Sequence, residues 1–249
     1  MSDIMGIQFT DDTLKQTAHK LSTIIDENYV KLHHVITANP EIALRIIENE
    51  EFKNIATHAD IITPDGIGIV YASKMLGGRI KERVTGFDLV VEIFKTRKQK
   101  SKSLKVYALG AEPDTIKKAV NHIENTYPNV TVIGFRDGYY KKEEEAKIVK
   151  EINECKPDLL LVGLGSPKQE EFIFRHKAYL NTKVAIGVGG VLDVLSGNVK
   201  RAPEFYQKIG MEWFYRLVTN PRRLKRQLSL FKFGFKVLGV ALGIVKKPS

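Results

Sequence analysis

Short apolar runs alternate along this chain with stretches of helical periodicity, and that alternation restricts the fold more than any other feature. Leu32–Ala38, Asp60–Thr63, Leu104–Leu109, Val130–Phe135, Asp158–Leu164 and Lys183–Val188 read as strands. Glu41–Asn49, Gly66–Leu76, Gly86–Arg97, Pro113–Tyr127, Lys142–Cys155 and Lys168–Lys177 fall between them with apolar residues at helical spacing, and Thr10–Asn28 does the same before the first strand. Apolar strands joined through helices imply βαβ units, and so an α/β fold with a largely parallel sheet covered on both faces. A chain of 249 residues accommodates one such domain and an appendage.

Charge marks the boundary between the two. Residues 1–196 hold 27 Lys/Arg and 27 Asp/Glu, whereas residues 197–249 hold 12 Lys/Arg against Glu204 and Glu212 alone. The net +10 therefore sits entirely in the tail, near whose start, Ser196–Pro203, the apolar period also changes. A neutral body with a cationic end suggests a polyanionic partner: membrane, nucleic acid or phosphorylated substrate. Phe205, Ile209, Trp213 and Leu217 predict one helical stripe, broken at Asn220-Pro221; a second helical segment follows from Arg222, apolar from Phe231 to Val245. Those fifteen residues would reach roughly 22 Å, short of a ~30 Å hydrocarbon core. Lys232 and Lys236 would each cost about 2.5–3.5 kcal/mol at its centre. The tail is expected to lie on a membrane, not cross it.

The lone Cys155 excludes an internal disulfide framework and leaves no thiol cluster for zinc, and the six histidines lack paired metal-ligand spacing. Met1–Thr10 has neither the basic start nor the apolar core of a signal peptide, so a cytosolic origin is expected.

Parallel strands place their carboxyl ends on one edge, where ligands of open α/β sheets bind. Thr37/Asn39, Asp65, Leu109–Pro113 and Gly163–Glu170 all fall there. Asp65, in the Pro64-Asp65-Gly66 corner, is the first candidate for chemistry; the alternative is that it only caps the next helix. Gly163, Gly165, Gly187, Gly189 and Gly190 remove side chains where backbone approaches a ligand, and the helix starts after them offer N–H groups to an anion. Any one of them could equally serve only a turn, but two clusters on one edge favour a nucleotide diphosphate. The dinucleotide fingerprint, the P-loop and an Asp-x-Asp metal pair are absent. Arg83, opening Arg83-Val84-Thr85-Gly86, suits a phosphate beside a helix start. Arg216, Arg223 and Arg226 would share one face of a roughly continuous helix.

Thr37-Ala38-Asn39-Pro40, Pro64-Asp65-Gly66-Ile67-Gly68, Arg83-Val84-Thr85-Gly86, Asp137-Gly138-Tyr139, Gly163 through Glu170, Gly187 through Asp193 and Arg201-Ala202-Pro203, extended by Glu212 through Arg216 and Pro221-Arg222-Arg223, resemble the WecG/TagA/CpsF glycosyltransferase family over nearly the whole chain. The likeness is to its TagA type, the N-acetylmannosaminyltransferases of wall teichoic acid synthesis.

That resemblance implies a Rossmann-like catalytic domain, residues 1–196, with a basic appendage, residues 197–249, acting as active-site lid and membrane contact. It implies inverting transfer of N-acetylmannosamine from a UDP donor to the 4-hydroxyl of N-acetylglucosamine on undecaprenyl diphosphate, at the cytoplasmic membrane face and without metal or cofactor. Asp65 becomes the base. Thr37, Asn39 and Gln169 fall in the sugar pocket, Arg83 meets the acceptor diphosphate, and Gly110, Gly163, Gly165, Lys168, Gly187, Gly189 and Asp193 bind substrate. Arg216, Arg223 and Arg226 close over the site. A related donor such as a UDP-linked mannosaminuronic acid, a nucleic-acid binder recognising no specific sequence and a non-catalytic adaptor are the alternatives. A groove that admits a lipid head and stores an apolar tail is also consistent with a homo-oligomer.

Overall fold

The structure, a computed structural model, describes residues 1–28, 31–208, 210–219 and 224–245, with the side chains at 204, 208, 213, 216, 219 and 224–227 outside the described set. An antiparallel hairpin, β1 (Ser2–Ile4) and β2 (Ile7–Phe9), precedes the main sheet. That sheet contains β3 (His33–Ala38), β4 (Ile61–Pro64), β5 (Leu104–Gly110), β6 (Val130–Arg136), β7 (Leu159–Gly163) and β8 (Val184–Gly187) in the order β4-β3-β8-β7-β5-β6. Every neighbouring pair is parallel.

Side chains of the central strands alternate between two dry layers, as strand geometry requires. Leu159 and Leu161 pack with α1 (Leu14–Asp26), α5 (Gly86–Gln99), α6 (Pro113–Thr126) and α9 (Val191–Leu195) on one face. On the other, Leu160 and Val162 pack with α7 (Glu145–Cys155) and α8 (Lys168–His176). Ile36 and Ala38 join the hairpin and α2 (Pro40–Glu48), α3 (Glu50–Thr57) and α4 (Ile67–Met75) in a neighbouring cluster. Polar caps start the helices that lead away from the sheet. Asn39 Oδ1 accepts the Ile42 N–H at 3.0 Å with Pro40 in the first turn of α2, and Thr85 Oγ1 accepts the Asp88 N–H at 3.2 Å to open α5.

Each expected strand and each helix of the body is present with ends moved by a few residues. The hairpin and α3 were not anticipated. The Thr10 N–H donates to the Ile62 carbonyl at 2.9 Å, so the segment after β2 covers the outer edge of β4. The tail departs further from expectation. The single stripe predicted from Phe205 to Leu217 is two helices, α10 (Glu204–Lys208) and α11 (Glu212–Thr219), with Gly210 at φ +73° between them and Phe205 exposed. Ile209 lies outside the described residues. The last helix, α12 (Leu224–Ala241), ends before the predicted Val245 and buries Phe233 and Val237 in the cluster of α2 and α4.

His34 is fully buried in β3, and both its ring nitrogens lack hydrogen-bond partners. Burial depresses its pKa to about 3, the Lys177 charge adds to this, and Asp60 opposes it. The imidazole is neutral when folded and would take a proton near pH 6.5 when unfolded, so stability falls as pH drops from 6.5 towards 3. Leaving two ring nitrogens unsatisfied costs about 1–3 kcal/mol. His34→Leu is therefore expected to raise unfolding stability by about 1–3 kcal/mol at pH 7 and to flatten the decline below pH 6.5, both read from urea denaturation across pH.

Candidate active site

The all-parallel register delivers Asn39, Asp65, Gly110, Gly163 and Val188 to one edge of the sheet. Asp65 follows β4 directly, and its N–H extends the ladder by donating to the Ala38 carbonyl at 3.0 Å. Gly66 at φ +113° occupies the N-cap position of α4, one residue beyond Asp65. The Asp65 side chain is half-buried. On the outer side of β4, the Val84 N–H donates to the Pro64 carbonyl at 2.8 Å and Thr63 Oγ1 donates to the Val84 carbonyl at 3.1 Å. This lays Arg83 against the turn that carries Asp65.

Thr37 is buried, its hydroxyl donating to the Gly187 carbonyl at 3.1 Å, so it ties β3 to β8 beneath the edge. Asn39 spends its oxygen on the α2 cap and retains its amide N–H groups for other partners. The glycines divide into two kinds. A methyl group on Gly110, at φ +129°, would lie 2.4 Å from the Gly163 carbonyl, and one on Gly163 would lie 2.9 Å from Leu192, so these two are demanded by the chain's packing on itself. Gly165 at φ +76° and Gly189 at φ +52° have open space where a side chain would stand. These two are free of such packing demands.

Gln169 and Glu170 lie underneath. The Gln169 Oε1 accepts the Gly189 N–H at 2.8 Å, while its Nε2 donates to Glu170 Oε1 at 2.8 Å. Gly187 makes room for this amide, since a methyl group there would approach Nε2 to 2.7 Å. Glu170 is fully buried. Burial pushes its pKa up to about 7, opposed by hydrogen bonds from Gln169 and Ser166 and by the Arg45 charge. Arg45 reaches across from α2 to donate to Ser166 Oγ at 2.9 Å.

The appendage clasps the other end of the edge. Gly210 rests on Ile67, where a methyl group would come within 2.9 Å, and Leu230 of α12 lies against Gly68. Arg83 Nη1 donates to Glu212 Oε2 at 2.9 Å from the start of α11, with both side chains largely shielded. Lys232 and Lys236 of α12 pair with Glu48 at 2.7 and 3.0 Å. Arg201, in the connecting segment, pairs with Asp88 at 2.7 Å and stacks its guanidinium 4.6 Å from the Phe87 ring centroid. Contacts from distant sequence thus surround the Asp65 turn on its α4 side.

Asp65, Asn39, Thr37, Arg83, Gln169 and the glycine turns share this edge, with Lys168 exposed at the start of α8 and Asp193 half-buried in α9. Arg216 lies on α11 and Arg226 on α12; Arg223 and the Arg216 and Arg226 side chains lie outside the described residues. Glu212 and Glu170 were not assigned roles from sequence. Glu212 had a signal available, as one of two acids in a basic tail, whereas the partner of Glu170 is visible only once Gln169 folds back on Gly189. Among the described residues no group of three or more His, Cys, Asp or Glu is disposed to hold a metal ion.

Asp65 and the β7 turn are three strand spacings apart, about 14 Å. The edge therefore suits an extended ligand, with a carboxylate at one end and open backbone turns at the other. The six-stranded parallel sheet flanked by helices defines a Rossmann-like α/β domain. The sequence matches the glycosyl transferase WecG/TagA/CpsF family over residues 2–246, and the chain belongs to that family. It is 37% identical to the N-acetylglucosaminyldiphosphoundecaprenol N-acetyl-beta-D-mannosaminyltransferase of Bacillus spizizenii strain W23 over 94% of this chain and 90% of that protein. The proteins of the same name from Bacillus subtilis strain 168 and Staphylococcus aureus strain NCTC 8325 are 39% and 33% identical, over 86% and 94% of this chain and 83% and 91% of theirs.

The two kinds of glycine separate experimentally. Gly110→Ala combines a positive φ with a backbone collision and is expected to cost more than about 3 kcal/mol, against about 1–2 kcal/mol for Gly165→Ala, both read by chemical denaturation.

Proposed function

We propose that this chain transfers N-acetylmannosamine from a UDP-linked donor to the 4-hydroxyl of N-acetylglucosamine carried on undecaprenyl diphosphate, with inversion, in building the wall teichoic acid linkage unit. Family membership and the names of the relatives support the reaction class and the lipid-linked acceptor. The observation that carries the reading on this chain is the position of Asp65, a carboxylate on the ligand edge beside Asn39 and Arg83 with the appendage packed on Ile67 and Gly68, two and three residues further on.

In this mechanism Asp65 accepts the proton of the acceptor hydroxyl as its oxygen bonds to the anomeric carbon. The bond from that carbon to the diphosphate oxygen breaks, and its electron pair leaves with UDP. General-base assistance of this kind contributes about 10²–10⁴ in rate. One attack from the face opposite the leaving group inverts the centre, so a single carboxylate suffices. Charge building on UDP is met by backbone N–H groups of the turns after β7 and β8, and by Arg216, Arg223 and Arg226 of the appendage. Glu212 engages Nη1 of Arg83, and the remaining N–H groups of that guanidinium serve the acceptor diphosphate. Residues 1–196 act as the catalytic body and residues 197–249 as lid and membrane contact. No divalent ion is needed.

α12 supports the membrane contact. Phe233 and Val237 face the body, while Leu228, Phe231, Phe235, Leu238 and Leu242, spaced alternately three and four apart, are exposed on the same helix and its end. No helix among the described residues is long and apolar enough to cross a membrane. This face and the charge of the tail support a peripheral position on the cytoplasmic leaflet, with basic residues near anionic lipid contributing about 1 kcal/mol each.

Asp65→Asn is expected to lower transfer by at least about 10²-fold while UDP binding changes little, with UDP release by the unaltered chain persisting in chelator. Near-normal turnover of that variant removes Asp65 from the mechanism. Phe235→Asp combined with Leu238→Asp is expected to reduce co-sedimentation with anionic vesicles by at least about tenfold and to leave thermal stability intact, because both positions are exposed.

A further inference from the structure

We propose that Glu170 is a positioning residue for this site: its buried carboxyl group sets the orientation of the Gln169 amide and thereby holds the β8–α9 turn against the β7–α8 loop. The inference rests on the reading that Gln169 belongs to the donor pocket.

The two ends of a glutamine amide are nearly equal in shape and opposite in hydrogen bonding. Only one orientation serves here. Gly189 presents an N–H and needs the amide oxygen, which it finds at 2.8 Å. Turning the amide over would set its NH₂ group against that N–H, donor against donor, and its oxygen against Glu170 Oε1, acceptor against acceptor. The observed orientation is thus specified from both sides, by a backbone donor in one loop and by the Glu170 oxygen at 2.8 Å on the other. Gly187 leaves the space that the amide occupies.

The carboxyl group is an expensive way to fill this position. Glu170 is fully buried and its Oε2 has no hydrogen-bond partner, whereas a methionine of similar length would pack there without that penalty. What an apolar side chain could not do is accept the Gln169 N–H. The charged and polar groups around it reach α2: Arg45, on that helix, donates to Ser166 Oγ at 2.9 Å, and both Arg45 and Ser166 favour ionised Glu170 against the burial that disfavours it. Either charge state keeps an acceptor oxygen for Gln169. Glu170 consequently joins the loops after β7 and β8 from beneath, without touching a ligand itself.

The test is steady-state transfer from UDP-N-acetylmannosamine to a short-chain lipid-diphosphate N-acetylglucosamine acceptor, with thermal stability measured alongside. Glu170→Met is expected to lower kcat/KM for the donor by about tenfold or more while the acceptor KM changes little, and Glu170→Gln, which keeps an acceptor oxygen, to restore it to within about threefold of the unaltered chain. In a Gln169→Ala background, Glu170→Met should add less than about a twofold loss, because the amide it orients is gone. Unchanged kinetics of Glu170→Met, or independent multiplication of the two losses, overturns the inference. So does Glu170→Gln with native thermal stability and no recovered activity, a comparison that stands even if Glu170→Met does not fold. Gln169→Ala with unaltered kinetics instead overturns the donor-pocket reading of Gln169, which separates that failure from this one.

Discussion

Six strands running in one direction are the constraint from which the rest of this molecule follows. Had β4 been reversed, Asp65 would open on the edge opposite the glycine turns after β7 and β8, and no ligand could meet both. Parallel pairing needs a helical crossover between successive strands, and those crossovers bury the sheet on two faces. The strand interiors are accordingly apolar, and nearly all the chemistry is driven to the strand ends. Thr37 shows the border between the two regimes, a buried hydroxyl one residue short of the edge whose bond to the Gly187 carbonyl serves the sheet.

The appendage is tied to that edge by contacts of different kinds. Phe233 and Val237 enter the apolar cluster of α2 and α4, Gly210 and Leu230 press on Ile67 and Gly68 just past Asp65, and Glu212 holds Arg83. Removal of apolar surface supplies most of the stabilisation in such a docking, and the ion pair fixes its register more than its strength. A cationic segment of chain is thereby kept beside the carboxyl edge of the sheet, as the proposed reaction of negatively charged substrates requires. The same helix that packs inward through Phe233 turns Phe235 and Leu238 outward, the arrangement that the proposed membrane contact requires.

Much of this was legible in the amino-acid sequence, and the parts that were not share physical causes. The main strands declare themselves because buried parallel strands are uniformly apolar, and Asn39 and Thr85 announce helix starts because their side chains satisfy N–H groups that the helix leaves open. The hairpin escapes notice because three-residue strands carry too little pattern. α3 is masked because Asn49 ends one helix and caps the next, its Oδ1 accepting the Phe52 N–H at 2.8 Å, so that two helices read as a helix and a loop. Gly210 splits the expected tail helix by packing on Ile67, a contact more than a hundred residues away in sequence. The candidate site was legible as a set of strand ends. The links between its parts were not, since Arg83 with Glu212 and Glu170 with Gln169 depend on side-chain placement that no spacing rule contains.

One hollow along the carboxyl edge, shared by the Asp65 turn and the open glycine turns, is what the account stands on. Hydrogen–deuterium exchange of the intact chain with and without a UDP-sugar reads it most directly. Slowed exchange appearing together in residues 163–169, in 187–190 and in the turn at 65–68 is the predicted result. Protection confined to the amino edge of the sheet, or to the surface between α7 and Tyr179, would contradict it.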